Sequence, residues 1–295
     1  MLRVHFFCRS LIAPGHAYNA VLPGLAAPQA VGYDSCITRQ RSGGYYSLNE
    51  VIRTLLNHRS FRRYRQEPVE PEMLKTIIKA AQAAPSWVNG QQVSVIAVRS
   101  EERRQRLSVL SGNQKHVAEA PVFLVFCMDF YRAKVAGELE GQPFEAAKDV
   151  DALLVGATDV GIALSNAIAA AESLGLGIIP IGGVRRHTAE VIELLQLPEY
   201  VFPVVGLCVG YPAEELPKKP RLPLEAVLHE EQYNPEVKSL IEAYNLAHRA
   251  SLKEQGLTER DWSSTIAHFY TLNPQYGDAQ HTLKRQGFTC DNLKN

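Results

Sequence analysis

The chain has 295 residues, of which 46% are hydrophobic and 21% charged. That is the profile of a globular protein with enough apolar material for its own core. Its 31 basic and 31 acidic residues cancel, so no global field directs it to nucleic acid or to an anionic membrane. Five cysteines, Cys8, Cys36, Cys127, Cys208 and Cys290, lie scattered with no C-x-x-C and no Cys/His metal spacing. This excludes a disulfide framework or metal ligand set and fits a reducing, cytoplasmic setting. No run approaches the roughly 18 uninterrupted apolar residues that span a bilayer.

Residues 1–46 mix Pro, Gly and Ala with little periodicity and hold four arginines against one acid, Asp34. They are expected to form a poorly ordered extension; an Arg-containing, acid-poor leader is also the composition of a targeting segment. Regular structure is expected from residue 47. Leu48, Val51, Ile52, Leu55 and Leu56 recur at helical spacing behind Ser47 as a candidate N-cap, and the helix ends near Asn57. A second helix is predicted from Pro71 to about Ala84, started by one proline and stopped by Pro85. Gln92–Val98 alternates like a strand, a charged helix follows at 101–110, and Pro121–Asp129 reads as a strand buried on both faces. Residues 151–174 are Ala- and Gly-rich and apolar around most of the circumference, which predicts a helix buried all round. One subunit has too little core for that, so this helix is placed at the centre of a homodimer. Gly177–Gly183 reads as a short strand and glycine turn, and Val201–Pro212 as another buried strand. Polar helices with aromatic anchors Tyr244, Trp262, Phe269 and Tyr270 complete the chain. Strands separated by helices indicate a sheet with helices on its faces.

Three features carry possible chemistry. Gly175-Leu176-Gly177 offers G-x-G, but Pro180 stands where the dinucleotide fingerprint needs its third glycine, and the first glycine follows a helix instead of a strand. Gly175 instead suits the C-terminal stop of a helix. Gly182 and Gly183 follow a strand and allow backbone N–H groups to approach an anion or a planar ligand, or form a plain turn. HRSFRRYR places His58, Arg59, Ser60, Arg62 and Arg63 directly after a helix. This is either a solvated loop or a phosphate clamp, in which guanidinium forks and a hydroxyl give charge-assisted bonds. KKPRLP fixes Lys219 and Arg221 between prolines. His58 has no second histidine at i+4 and no acid spaced for a triad, so it is read as a donor to a ligand and not as a metal ligand or a base.

In order along the chain, HRSFR, APSWVNGQQ, GNQKHV, AAESLGLG, IGGVR and KPRLP resemble the nitroreductase family, closest to its NADPH-dependent, oxygen-insensitive nitroreductase and flavin reductase group. The resemblance covers residues 47–295. It implies an α+β fold, a mixed sheet flanked by helices, with a long central dimerisation helix and two FMN sites at the subunit interface. It implies hydride transfer from NADPH, or NADH, to nitroaromatics, quinones or free flavin by a ping-pong mechanism, with the chemistry on the flavin and no catalytic side chain or metal. Supply of reduced FMN to a partner, or flavin binding without catalysis, are the alternatives. By position, His58, Arg59, Ser60 and Arg62 would contact the ribityl phosphate and pyrimidine edge. Ser86, Gln91 and Gln114 would lie near the ring, Ile181, Gly182 and Gly183 along it, and Lys219 and Arg221 on the phosphate. Some of these would come from the opposite subunit. In KEQGLTERDW, Arg260 is the candidate for the NADPH 2′-phosphate, with Lys253 nearby. Trp87 in APSWVNGQQ either narrows the acceptor site or packs under the sheet.

Overall fold

A computed structural model describes residues 48–271 and 276–293; the predicted N-terminal extension and the Ser47 cap lie outside them. The first helix, α1 (Glu50–Leu56), is capped by Asn49, whose side-chain oxygen accepts the Ile52 amide at 3.0 Å. The second, α2 (Pro71–Gln82), has its proline at the first turn, where the missing N–H costs nothing. It stops two residues before the predicted end.

Four strands follow, β1 (Val93–Val98), β2 (Val122–Asp129), β3 (Gly177–Ile181) and β4 (Val201–Gly210), in the order β1-β2-β4-β3. Every pairing between them is antiparallel. The mixed character expected of the sheet is confined, among the described residues, to a single parallel bridge between Ser60 and Ile178. The fold is α+β.

All eight residues of β2 are buried, as an uninterrupted apolar run requires of a central strand. Leu124, Phe126 and Met128 face a core shared with α2 and with α6 (Asp151–Ser173). Phe123, Val125 and Cys127 face the opposite core, together with Leu107 of α3 (Glu101–Leu110), Val117 of α4 (Lys115–Glu119) and Val191 of α7 (Thr188–Leu195). Each buried phenylalanine stabilises the sheet by about 1.5–3 kcal/mol. Cys127 and Cys208 are fully buried free thiols, and burial pushes both above the usual thiol range; they are packing groups.

Helix α6 is the long helix expected at 151–174. Within one chain it buries a stripe, Ala152, Gly156, Asp159, Val160, Ala163, Ala167 and Ala171, and leaves Leu154 63% exposed. Its most apolar 18-residue window has a mean hydropathy of 1.6, only a third of it buried. Small residues on the buried stripe let the helix sit close to the sheet: a Cβ on Gly156 would stand 2.9 Å from that of Met128. The helix stops at Gly175, whose φ of +78° is the left-handed conformation expected of a terminating glycine.

The C-terminal region adds α8 (Lys238–Glu254), α9 (Trp262–Thr271) and α10 (Gly277–Arg285). Tyr244 is buried edge-on against Trp262, whereas Phe269 and Tyr270 are exposed and pack edge-on against each other. Beyond α10, Phe288 is fully buried against Phe130 and Tyr200.

The tightest approach in the sheet is at Gly206 of β4, where a Cβ would stand 2.2 Å from the Phe123 ring and 3.1 Å from Val184. Both neighbours are fully buried and cannot retreat. Gly206→Ala is expected to lower stability by about 1–3 kcal/mol, read as a lower urea midpoint with unchanged slope; a wild-type midpoint would show that this core has room.

Candidate functional site

After α1 the chain runs extended beside β3, with the Phe61 amide donating to the Ile178 carbonyl at 2.9 Å. Gly177 makes the approach possible, since a Cβ there would meet the Phe61 ring at 2.8 Å. This docking fixes the HRSFR segment against the end of α6. His58 Nδ1 lies 2.6 Å from Glu172 Oε1, and Nε2 lies 3.3 Å from Ser60 Oγ. An acid therefore does reach His58, contrary to the sequence reading. It comes from AAESLGLG, one turn before the glycine that ends α6, and only folding brings it within reach. Arg59 donates through Nη1 to the Asn57 carbonyl at 3.1 Å. Its Nε is buried with no partner among the described residues, leaving a donor available to a ligand.

The IGG turn closes on the same region. Ile181 and Gly183 are buried, and a Cβ on Gly183 would stand 2.3 Å from the Ser111 carbonyl and 2.5 Å from Gln114 Nε2. Only glycine fits there. Gln114 Nε2 donates to the Ser111 carbonyl at 2.7 Å, and its Oε1 lies 3.1 Å from His116 Nε2. Burial lowers the His116 pKa, and the Arg62 guanidinium lowers it further.

Arg62 links this turn to the KKPRLP segment. The Lys219 pKa is lowered, first by the neighbours packed around an otherwise solvent-reaching side chain, then by Arg62, Arg221 and Arg260. Arg221 bonds back to the carbonyls of Lys219 and Pro220, and Tyr244 of α8 holds Pro220 by a 2.9 Å bond from its hydroxyl. Arg260 reaches the cluster from the turn after α8. That turn is fastened by Asn245 bonds to Ser263 and by an Arg249–Asp261 ion pair at 3.3 Å. His248 feels the same field: burial lowers its pKa first, then Arg260 and Lys219, with Asp261 opposing. Arg62 thus connects the HRSFR segment, the turn holding Gln114 and Gly183, and the cluster of Lys219, Arg221 and Arg260 into one neighbourhood.

Ser86 and Gln91 do not join it. They sit in the turn after α2, where Val88, Asn89 and Gln91 all have positive φ, between +46° and +55°. Left-handed backbone costs roughly 1–2 kcal/mol per non-glycine residue, and the surroundings hold it in place. The Trp87 amide donates to both oxygens of Asp159 at 3.2 and 3.3 Å, and the Gln91 amide to Ser86 Oγ at 3.0 Å. Arg132, next to the start of α5 (Tyr131–Glu140), donates to the carbonyls of Gln91 and Val93 at 2.5 and 2.8 Å. Ser86, Gln91, Arg132 and Asp159 surround a cavity of about 730 Å³ floored by Ile78 and Val95. Trp87 is 61% exposed, so it does not pack under the sheet. Asp159 and Glu172 mark the two groups on α6, about 20 Å apart along its axis.

The nitroreductase family pattern matches residues 55–211, and the pattern of the family's C-terminal domain matches 219–291. A curated relative from Bacillus subtilis, named FMN reductase [NAD(P)H], is 49% identical over 83% of this chain and all of its own length. The oxygen-insensitive NADPH nitroreductase of Salmonella typhimurium is 41% identical over 67% of this chain and 80% of its own. The solved structure of NfrA2 from B. megaterium superposes with a TM-score of 0.80 at 50% identity, covering 82% of this chain and 98% of that one. Two consecutive family patterns, full-length relatives and a shared fold agree: the chain belongs to the nitroreductase family.

Proposed function

We propose that residues 47–295 form an FMN-dependent oxidoreductase domain that passes hydride from NADPH, or NADH, to a small electron-poor acceptor such as a nitroaromatic, a quinone or free flavin. One observation carries the reading. Arg62, Lys219, Arg221 and Arg260 lie close enough that three guanidiniums and burial together make the Lys219 ammonium less favourable. Like charges drawn from distant parts of the chain hold together poorly without an anion between them, and a phosphate meets that need. The unpartnered Arg59 Nε adds a donor from the same HRSFR segment. Residue chemistry and cofactor therefore fit.

When bound, FMN supplies the acceptance and release of hydride. The residues of the chain bind and orient. Ser60, Arg62, Lys219 and Arg221 would hold the phosphate, while Arg59 and His58 would line the approach from the phosphate to the ring. Gly182 and Gly183 would offer main-chain N–H groups to the ring. Arg260, in the same cluster as Lys219, would hold the 2′-phosphate of NADPH.

Ser86 and Gln91 serve a different copy of the chain. Some 20 Å of α6 separates their turn from His58, and a two-fold related subunit brings the two groups together. The exposed apolar residues Val51, Leu55 and Leu56 of α1 and Leu154 of α6 supply the face for that homodimer. The exposed Trp87 then borders the acceptor position. A cytoplasmic location accompanies this reading and suits the free thiols of Cys127, Cys208 and Cys290. The relatives named as FMN reductases favour free flavin as one acceptor.

Anaerobic titration with NADPH and then NADH tests the reading. Purified protein is expected to carry a flavin band near about 450 nm that bleaches with either nucleotide. Arg260→Ala is expected to raise the NADPH concentration required by about tenfold, equivalent to ~1.4 kcal/mol, and to leave NADH unchanged. Flavin that stays oxidised would make the chain a carrier and not an enzyme. Equal loss with both nucleotides would remove Arg260 from the 2′-phosphate site.

A further inference from the structure

Glu172 has no place in the assignments above, yet it is the most constrained acid near them. Its side chain is 11% exposed, Oε1 is engaged by His58 Nδ1 at 2.6 Å, and Oε2 has no partner among the described residues. It also stands in the last turn of a 23-residue helix, where the exposed carbonyls give the helix end a negative potential. A nearly buried carboxylate at the negative end of a helix is doubly unfavourable unless a cation neutralises it. Among the described residues its only ion-pair partner is His58.

We propose that Glu172 is a positioning residue that holds His58 as an imidazolium and thereby sets the polarity of the Ser60 hydroxyl. In that state both ring nitrogens donate, Nδ1–H to Glu172 and Nε2–H to Ser60 Oγ, 3.3 Å away. With its oxygen accepting from His58, the hydroxyl of Ser60 is free to turn its own proton outward. It then donates to an anionic ligand oxygen. With a neutral imidazole protonated at Nδ1, the Nε2 lone pair would capture the Ser60 proton instead. Ser60 would then present lone pairs to the anion and repel it. The relay Glu172–His58–Ser60 has the order of a hydrolase triad but runs in the opposite sense: it delivers a proton donor to a phosphate and does not build a nucleophile. No covalent step is involved, because the relay only orients hydrogen bonds.

The inference rests on the FMN reading, and the two fail in distinguishable ways. The experiment compares dissociation constants for FMN and for riboflavin, which lacks the phosphate, in the wild-type chain, Glu172→Gln, Ser60→Ala and the double variant. Glu172→Gln preserves shape and removes the charge. It is expected to weaken FMN by roughly tenfold, the loss of one charge-assisted hydrogen bond, with riboflavin unchanged. In the Ser60→Ala background the same substitution is expected to have no further effect, because the hydroxyl it acts through is gone. Nitrogen-15 NMR of the wild-type imidazole at neutral pH should show both His58 ring nitrogens protonated, and this arm needs no variant to fold. Equal weakening of FMN and riboflavin, independent effects of the two substitutions, or a neutral His58 ring would each overturn the proposal. A wild-type chain that binds neither flavin would instead overturn the FMN reading.

Discussion

The structure depends on how one face of α6 is buried. Its stripe of alanines, with Gly156 against Met128, lets a 23-residue helix lie across the sheet close to β2. That contact fixes where everything else meets it. Two carboxylates interrupt the small-residue stripe or end it. Asp159 receives the amide of Trp87, and Glu172 receives the ring of His58. Each tethers one loop that carries candidate ligand-binding residues, so the helix sets the spacing between the two halves of the site. A single copy presents these halves about 20 Å apart.

Charge arranges the half at the Glu172 end. The chain is neutral overall, but it concentrates cations from the turn after α1, the proline-flanked segment at 218–223 and the turn after α8. Their mutual repulsion is a cost in the free protein and an attraction for a doubly charged phosphate, the usual arrangement in which binding relieves strain built into the apo state. The other half is held by hydrogen bonds. Three left-handed residues persist at 88–91 because Asp159, Ser86 and Arg132 satisfy the backbone groups that such a turn exposes.

Much of this was legible in the sequence. The buried run at Val122–Asp129, the proline-started α2 and the glycine stop at 175 follow from local chemistry and were placed nearly to the residue. The HRSFR and KPRLP segments also approach one another, as the family resemblance implied. Other features needed the fold. Glu172 lies far from His58 in the chain, and no spacing rule connects them. The N-cap of α1 is Asn49, two residues past the serine first favoured. Composition made α6 look buried all round at the centre of a homodimer, and which stripe of it one chain covers needed the fold. Its remaining apolar surface, with Leu154 63% exposed, stays open within one chain. Likewise, nothing in the sequence gives the separation along α6 between the Ser86–Gln91 turn and His58.

The central claim is that each flavin is bound by the cation cluster of one subunit and the Ser86–Gln91 turn of the other. Subunit mixing tests it most directly. One chain carries Arg62→Ala with Lys219→Ala and the other Ser86→Ala with Gln91→Ala; each alone is expected to lose bound flavin. Co-folded in equal amounts, half of the dimers are mixed and each contains one site free of both lesions. About a quarter of wild-type flavin content should return. A site built within one chain would recover none, and that result would contradict the account.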